Sequence, residues 1–235
     1  MSELVHRRLG RAEYAETWAL QRALREEIKS APQDHPDIVL TVEHPPVLTA
    51  GRRARDSNLL HSIDELAVLG VAVHRIDRGG DWTYHGPGQV VVYPIVSLRR
   101  RRLSVKGHVA ALEDAMIETA VRALAAAGVR DVEVVRRCGA PGAWVRRPDG
   151  SEGKVGAVGV HVSRGVTLHG LALNLDPDPW GFGWIVPCGL VGEETTSLAA
   201  LVRERGGDTA GLPSPDRAAD WLVDALKSAM SRRAR

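Results

Sequence analysis

The stretch KVGAVGVHVSRGVTLHGLALNL, residues 154–175, decides the fold. Two segments rich in valine, leucine and small residues flank an Arg-Gly pair, which suits a two-residue hairpin turn. The pattern predicts a β-hairpin with strands over residues 154–163 and 166–175. Because such a turn joins only antiparallel strands, the centre of the fold is expected to be antiparallel.

The register of this hairpin brings small residues together. With a two-residue turn, Gly159 faces Gly170 across the ladder. Ala157 faces Ala172 by the same register. Glycine inside a strand normally weakens it, so its use here indicates that a backbone or a ligand approaches closely. We therefore expect a depression in the sheet surface at these four positions.

Helices and further strands alternate irregularly around the hairpin. Helical spacing and capping residues predict helices over residues 14–30, 62–70, 104–127 and 215–230. Short apolar runs predict strands up to residue 8, over residues 37–42, 71–76, 89–96 and 132–136, and from residue 144. The order predicts an α/β (α+β) fold, a single domain over residues 1–235 with a mixed, largely antiparallel sheet flanked by helices.

Composition restricts the class of protein. A chain of 235 residues can bury a substantial core. No apolar run approaches the roughly 18 residues that a membrane helix needs, and the charged N-terminus lacks the apolar centre of a secretion signal. Two cysteines provide neither a disulfide framework nor a zinc site. We expect a cytoplasmic protein with reduced thiols and no bound metal.

Arginines are unevenly distributed. The net charge is only +2, from 31 basic and 29 acidic side chains, which is too balanced to indicate nucleic-acid binding. One block covers residues 99–102, and a second contains Arg52, Arg53 and Arg55. Most of these side chains are expected to be ordinary surface charges. The alternative hypothesis is that these clusters are docking patches for an acidic partner, with residues 99–102 as the candidate for binding an acyl carrier.

Cys188 carries the most chemical information. It follows a proline and precedes a glycine, after an apolar run that suits the wall of a cleft. Lys154 is an isolated charge entering an apolar stretch, and an amine beside a thiol favours the nucleophilic thiolate. Taken alone, Cys188 could equally be a small residue of the core, and Lys154 could be a surface residue whose amine extends to water.

A glycine-rich segment, RGGDWTYHGPGQ, covers residues 78–89. Its four glycines, with Arg78 and His85, exceed what a turn requires. Glycines let backbone amides approach a ligand, and the two polar side chains can supply contacts. The spacing fits neither a P-loop nor a dinucleotide-binding fingerprint. The segment predicts a binding loop, with a glycine-rich hairpin loop as the alternative.

The motifs in their order resemble one family. They are EHPPVLTAGR at residues 43–52, the segment at 78–89, Lys154 with Gly159-Val160, LHGLALN at 168–174, and Pro187-Cys188-Gly189. This set resembles the lipoyl(octanoyl) transferases, or octanoyl-[acyl-carrier-protein]:protein N-octanoyltransferases. The resemblance covers residues 43–198. Gly156 departs from the pattern, since the family usually has alanine there.

The resemblance implies a biotin/lipoyl protein ligase-like fold and an acyltransferase without a cofactor. An octanoyl group would pass from octanoyl-acyl carrier protein to lipoyl domains, as the first step of endogenous lipoate biosynthesis. The acceptors would be lipoyl domains of 2-oxoacid dehydrogenase E2 subunits and the glycine cleavage H protein, with no nucleic acid or membrane as partner.

The resemblance also implies roles for particular residues. Cys188 would carry the acyl group as a thioester, and Lys154 would activate the thiol. Substrate-binding residues would be Arg78, Gly79, Gly80, Asp81, Trp82, Thr83, Tyr84, His85, Ala157, Val158, Gly159, Gly170, Leu171 and Ala172. Within this set His85 is expected to bind substrate rather than to act as acid or base.

Other side chains have expected roles outside the reaction. His169 is expected to support the site by hydrogen bonding, and His44 to be a structural or rim residue. Cys138 is expected to be incidental. Trp180 and Trp184 either line the cleft or pack.

Three alternative functions stay open. The first is an ATP-dependent lipoate or biotin ligase of the same fold, which needs no cysteine nucleophile. The second is a non-catalytic module that binds an acyl carrier or nucleic acid through its arginines. The third is a thioesterase, in which water takes the place of the accepting lysine.

Overall fold

The structure, a computed structural model, describes residues 3–30, 35–186 and 194–234. Its strands are β1 Leu4–Arg11, β2 Asp37–Glu43, β3 Val47–Ala50, β4 Ala72–Arg75, β5 Trp82–His85, β6 Gln89–Ile95, β7 Glu133–Val135, β8 Gly142–Arg146, β9 Glu152–Ser163, β10 Val166–Asn174 and β11 Glu194–Thr195. Its helices are α1 Tyr14–Ser30, α2 Ile63–Val68, α3 Val105–Ala126, α4 Trp180–Gly183, α5 Leu198–Arg203 and α6 Pro215–Arg233.

The main sheet has the strand order β1-β2-β6-β10-β9-β8-β7, and the short strand β11 pairs with β9. Neighbouring strands are antiparallel except in the pairs β1–β2 and β9–β11. Strands β9 and β10 form the predicted hairpin, in which Gly159 pairs with Gly170 and Ala157 with Ala172. The mixed, largely antiparallel sheet and the register of its central hairpin are confirmed.

A second sheet has the order β4-β3-β5. The sequence pattern predicts neither β3 nor β5, and β5 lies inside the glycine-rich segment that allowed a binding or hairpin loop. Because side chains alternate along a strand, Trp82 and Tyr84 point away from the side that Thr83 and His85 share. Trp82 and Tyr84 fill an apolar cluster with Leu48, so the segment has a packing role as well as a binding face.

Helices cover both faces of the main sheet. Helices α3 and α6 pack together on one face, in a cluster that contains Leu112, Met116 and Leu226. Helix α1 packs on the other face through Leu24 and Ile28. Replacing a fully buried leucine such as Leu112 by alanine would cost about 2–5 kcal/mol of stability. Within the described ranges, the helices lack the combination of length and apolar character needed to cross a membrane.

Serines begin three of the predicted helices. Ser62 and Glu65 form a capping box at α2, since each side chain accepts a hydrogen bond from the backbone N–H of the other. The hydroxyls of Ser104 and Ser214 accept backbone N–H groups at the starts of α3 and α6. The short helix α5, which the sequence analysis does not predict, has the same kind of cap at Ser197.

The arginine block at residues 99–102 is not an open docking patch. Arg100 and Arg101 form ion pairs with Asp37 at 2.8 and 2.6 Å, and Asp37 is fully buried. Both guanidinium groups neutralise this carboxylate, whose burial without a partner would be costly. The docking hypothesis is therefore wrong for the two central arginines. Only the outer two side chains of the block are exposed.

Candidate functional site

The predicted nucleophile, Cys188, lies outside the described residues. The chain on both sides of it is described. Before it, the Val186 N–H donates to the Asn58 carbonyl at 2.8 Å. After it, Glu194 of β11 pairs with Gly153 of β9. These two attachments fix where the described chain leaves and re-enters the fold around the cysteine.

Lys154 is half-buried on β9, next to the position where β11 begins. It pairs across the sheet with Trp144 of β8, and its Nζ lies 5.3 Å from the centroid of the tryptophan ring. Gly142 gives the lysine stem its space, because a Cβ there would lie 2.8 Å from the Lys154 Cε and 2.2 Å from the Gly156 carbonyl oxygen. The lysine side chain thus packs against the neighbouring strand β8.

A cavity of about 590 Å³ opens beside Lys154, and we call it the open cavity. Its lining residues are Arg53, Arg55, Asn58, Gly79, Gly80, Asp81, Val109, Gly139, Ala140, Pro141, Lys154, Val158, Gly159 and Val160. Three cationic side chains and one carboxylate are among them. The cavity can therefore hold a polar or anionic reactant next to an amine.

Arg78 fastens the glycine-rich loop to both sheets. Its Nη2 donates to the Thr49 carbonyl at 2.6 Å and to the Thr49 hydroxyl at 2.9 Å, on β3. The next residue, Gly79, donates its N–H to the Val160 carbonyl of β9 at 3.0 Å. The Arg78 side chain is buried, so its first effect is to position the loop.

A second, smaller pocket of about 50 Å³ lies between α1, the small sheet and the main sheet, and we call it the closed pocket. All but three of the predicted substrate-binding residues line it. The three exceptions are Asp81, which lines the open cavity, and Trp82 and Tyr84, whose side chains fill the apolar cluster of the small sheet. Four residues line both spaces, namely Gly79, Gly80, Val158 and Gly159.

Neighbouring protein atoms occupy the space that a side chain would need at the two hairpin glycines. A Cβ on Gly170 would lie 2.1 Å from the Val92 carbonyl oxygen, so this glycine allows β6 to approach. A Cβ on Gly159 would lie 2.9 Å from the Arg78 side chain. All four positions line the closed pocket, so the expected depression lies there, but protein atoms occupy the space next to both glycines.

A hydrogen-bond network fixes the tautomer of His85. The Thr196 carbonyl can only accept, so the Asn174 amide group donates to it through Nδ2, at 2.9 Å. Asn174 Oδ1 then accepts from Gln89 Nε2 at 2.8 Å. Gln89 Oε1 in turn accepts from His85 Nδ1, at 2.6 Å. The Nδ1 atom of His85 therefore carries the proton, and Nε2 is an acceptor.

Arg78 brings a positive charge to the lining of the closed pocket, whereas His85 and Tyr14 are uncharged at neutral pH. Burial lowers the pKa of His85 to about 3, with smaller contributions from His44 and Arg78. Burial also raises the pKa of Tyr14, whose hydroxyl has no hydrogen-bond partner among the described residues. A neutral imidazole that offers only an acceptor fits the expected binding role of His85. It does not fit a proton donor at neutral pH.

Asp77 supports the loop from behind. It contacts the rings of His169 and His161, at 2.8 and 2.5 Å. The hydrogen bond from His169 is the largest cause that lowers the pKa of the Asp77 carboxyl. The expectation of a supporting hydrogen bond from His169 is thus confirmed.

The remaining side chains singled out in the sequence lie away from both spaces. His44 is fully buried, where it contacts the Ala12 carbonyl and the Tyr93 hydroxyl, so it is structural. Cys138 is exposed. Trp180 is exposed, and Trp184 packs edge-on against the ring of Tyr84.

The sequence analysis assigns no role to several residues of the site. Thr49, Gln89 and Asn174 lie within the quoted motifs, and this position could have identified them as residues of the site. Tyr14 and Tyr93 line the closed pocket without any local signal, because nothing in the order of residues brings α1 and β6 together. Among the described residues no group of histidine, cysteine or acidic side chains has the arrangement of a metal site.

Comparison with known proteins gives the class and then the family. Lipoate-protein ligase A bound with ATP has a similar fold, with a TM-score of 0.63 at 12% identity, over 97% of this chain and 85% of that one. The model of the lipoyl protein ligase A/B catalytic domain matches residues 13–210. The chain belongs to this family.

Relatives within the family are more specific. The mitochondrial octanoyltransferase LIP2 of Arabidopsis thaliana is 41% identical over 95% of this chain and 87% of its own length. The octanoyltransferase of Desulfotalea psychrophila is 44% identical over 85% of this chain and 83% of its own length. The predicted fold, family and acyltransferase class are confirmed. The cysteine–lysine dyad, the binding residues, the exact partners and the cytoplasmic location stay predictions.

Proposed function

We propose that this protein transfers an octanoyl group from octanoyl-acyl carrier protein to a lysine of lipoyl domains, through a thioester on Cys188. The acceptors are lipoyl domains of 2-oxoacid dehydrogenase E2 subunits and the glycine cleavage H protein. The reaction exchanges a thioester for a thioester and then for an amide. Each step is thermodynamically favourable or neutral, so neither ATP nor a cofactor is required.

The attachment of the flanking chain supports the pairing of Cys188 with Lys154. Cys188 is two residues from Val186, and two residues span at most about 7 Å. Val186 is bonded to Asn58, and Asn58 lines the same cavity as Lys154. A thiol tethered in this way can reach the cavity that contains the amine.

In the first half-reaction the Cys188 thiolate attacks the carbonyl carbon of the octanoyl thioester, and the carrier thiolate leaves. The Lys154 ammonium favours the thiolate through its charge. Backbone N–H groups are suited to stabilise the oxyanion of the tetrahedral intermediate. The departing carrier thiolate takes a proton from the Lys154 ammonium and leaves as the thiol, so Lys154 becomes neutral and the acyl group stays on the enzyme.

In the second half-reaction the lysine amine of the lipoyl domain attacks the Cys188 thioester. A C–N bond forms, the C–S bond breaks, and the amine loses one proton. A neutral Lys154 can accept that proton, so the same side chain serves both halves in opposite protonation states.

The closed pocket suits the far end of the acyl chain. It borders the open cavity at Gly79, Gly80, Val158 and Gly159, which line both spaces, and its other lining includes Val91 and Leu171. Burial of each methylene is worth about 0.8 kcal/mol. At about 50 Å³ the pocket has room for only the last carbons of the chain, which leaves the carbonyl near Lys154.

The observation that carries this proposal is that Lys154 lines a cavity that shares Gly79, Gly80, Val158 and Gly159 with the pocket lined by most of the predicted substrate-binding residues. The test mixes the protein, octanoyl carrier and a lipoyl domain, with EDTA and without ATP. The lipoyl domain should gain one octanoyl group, and Cys188→Ala should abolish the gain.

The alternatives give different results in the same test. A lipoate ligase would need free acid and ATP, and would keep its activity after Cys188→Ala. A thioesterase would release octanoate and leave the lipoyl domain unmodified.

A further inference from the structure

Two arginines, Arg53 and Arg55, line the open cavity, and with the preceding Arg52 they form a cluster that we call the arginine rim. All three side chains are exposed, and the part of the chain described by the structure offers none of them an ion pair. The acidic residue next to them, Asp56, pairs instead with Arg75. Within the described residues, these three cations therefore have no evident role in folding.

The rim is held rigidly against the predicted binding loop. The Arg52 N–H donates to the Arg78 carbonyl at 3.0 Å, and the Arg53 N–H donates to the Gly80 carbonyl at 3.0 Å. Gly51 makes this contact possible, because a Cβ there would lie 2.4 Å from the Gly80 carbonyl oxygen. The backbone beneath the arginines is therefore ordered before any partner binds, which lowers the entropic cost of binding.

Asp81 is the one carboxylate among the described residues that line the cavity, and it forms hydrogen bonds beneath the rim. Asp81 is buried and accepts the N–H groups of Arg55 and Trp82, at 3.2 and 2.8 Å, together with the side-chain amide of Asn58. Its oxygens point into the loop, while Arg53 and Arg55 line the cavity from the exposed side. The mouth of the cavity thus presents positive charge to an approaching partner.

We propose that the arginine rim docks the acidic surface of the protein that donates the acyl group. This inference rests on the proposed function. A carrier delivers its acyl group on a long flexible arm, so its own surface stays at the mouth while the thioester enters the cavity. An accepting lysine has a shorter reach, and its protein must approach the thioester directly. Complementary charge at the mouth would speed the encounter with the carrier.

The test uses the double variant Arg53→Glu/Arg55→Glu and measures the rate at which the enzyme becomes acylated. With octanoyl carrier at low salt, the rate should fall about tenfold and lose most of its salt dependence. With octanoyl-pantetheine, which has neither protein nor phosphate, the rate should fall much less than with the carrier, and its salt dependence should not change. Because the two half-reactions are separate, kcat/KM for the lipoyl domain should not change.

A matched control reverses the same number of charges elsewhere. Arg99→Glu/Arg102→Glu changes two exposed arginines beside the turn of the β9–β10 hairpin, where the Leu98 N–H bonds the Gly165 carbonyl. That turn is ten residues along β9 from Lys154, about 30 Å away at the usual rise of a strand. This variant should be acylated by the carrier at the wild-type rate.

Several results would overturn the inference. The first two are an unchanged acylation rate of the rim variant with the carrier, and an equal loss of this rate in both double variants. The third is a loss of kcat/KM for the lipoyl domain alone. The fourth is an equal loss of rate with octanoyl-phosphopantetheine, which would mean that the rim binds the phosphate. Failure of the wild-type protein to accept an octanoyl group from any donor would instead refute the proposed function, and this inference with it.

Discussion

The closed pocket and the open cavity share the strand β9 and the loop after Arg78, but they differ in size and charge. The closed pocket has about 50 Å³ and is lined mainly by apolar and uncharged side chains. The open cavity has about 590 Å³ and contains Lys154, two arginines and Asp81. The difference separates two tasks, since recognition of an apolar chain needs a small dry space and the chemistry needs charge.

Removing the amine of the open cavity should have the largest effect of any change that leaves Cys188 in place. Lys154→Ala should lower octanoyl transfer about 1,000-fold, because the side chain serves both half-reactions. Alkylation of Cys188 by iodoacetamide at pH 7 should slow about tenfold. Lys227→Ala, at an exposed lysine of α6, is the control and should change neither rate.

The variant Lys154→Arg separates the two roles of the amine. Arginine keeps the positive charge but does not lose its proton in this pH range. Alkylation of Cys188 should stay closer to the wild-type rate than in Lys154→Ala, while transfer from the acyl-enzyme to lysine should be lost. Equal alkylation in wild type and Lys154→Ala would remove the activation role.

Filling the closed pocket should discriminate between acyl chains. Ala157→Leu adds three carbons beside the alanine pair, and displacing three methylenes of substrate costs about 2.4 kcal/mol, or about 50-fold in kcat/KM for octanoyl transfer. A butanoyl donor should be nearly unaffected. Val160→Leu, on the open cavity, serves as the control for added bulk. An equal loss for both chain lengths would refute the assignment of the pocket to the end of the chain.

The uncharged histidines should make stability depend on pH. Burial lowers the pKa of His85 to about 3 and that of His44 and His108 to about 4. In the unfolded chain these groups have their ordinary pKa near 6.5, so the unfolded state binds more protons as the pH falls. Between pH 6.5 and about 4.5, each should lower the free energy of unfolding by about 1.4 kcal/mol per pH unit.

Denaturant unfolding at pH 7, 6 and 5 measures this slope. His85→Gln should reduce it by the contribution of one group, whatever its effect on stability at pH 7. His61→Gln, at an exposed histidine, should leave it unchanged. A slope of zero in the wild type would mean that these three buried histidines are protonated or solvated in the folded protein.

The smallest expected effect concerns the hydroxyl of Tyr14. It has no partner among the described residues, and a hydroxyl at the end of an acyl chain could bond it in the closed pocket. Tyr14→Phe should therefore lower the preference for an 8-hydroxyoctanoyl donor over an octanoyl donor about threefold, as expected for one hydrogen bond. A competition assay measures the ratio, which would stay constant if this hydroxyl lay outside the acyl site.

Local chemistry made much of the fold predictable. The hairpin register follows from a two-residue turn and the alternation of side chains, and the serine caps mark the starts of α2, α3 and α6. Residues of the sequence motifs line the closed pocket, because the glycines allow the loop after Arg78 to lie against β9. These features depend on residues that are close in sequence or paired by one turn.

Features that depend on distant residues were not predictable. Strand β5 has partners only in β3, more than thirty residues earlier, so the glycines around it indicated a loop. The ion pairs of Arg100 and Arg101 with Asp37 join segments that no sequence pattern connects. The contribution of Tyr14 to the closed pocket arises from the packing of α1 and has no sequence signal.

The covalent intermediate is tested most directly by intact-protein mass spectrometry. The protein is incubated with octanoyl carrier alone, without acceptor, and then digested to locate the modification. The account predicts a gain of one octanoyl group on the peptide that contains Cys188, its removal by hydroxylamine, and no gain in Cys188→Ala. Catalytic transfer without any acyl-enzyme, or an octanoyl group on a different residue, would contradict it.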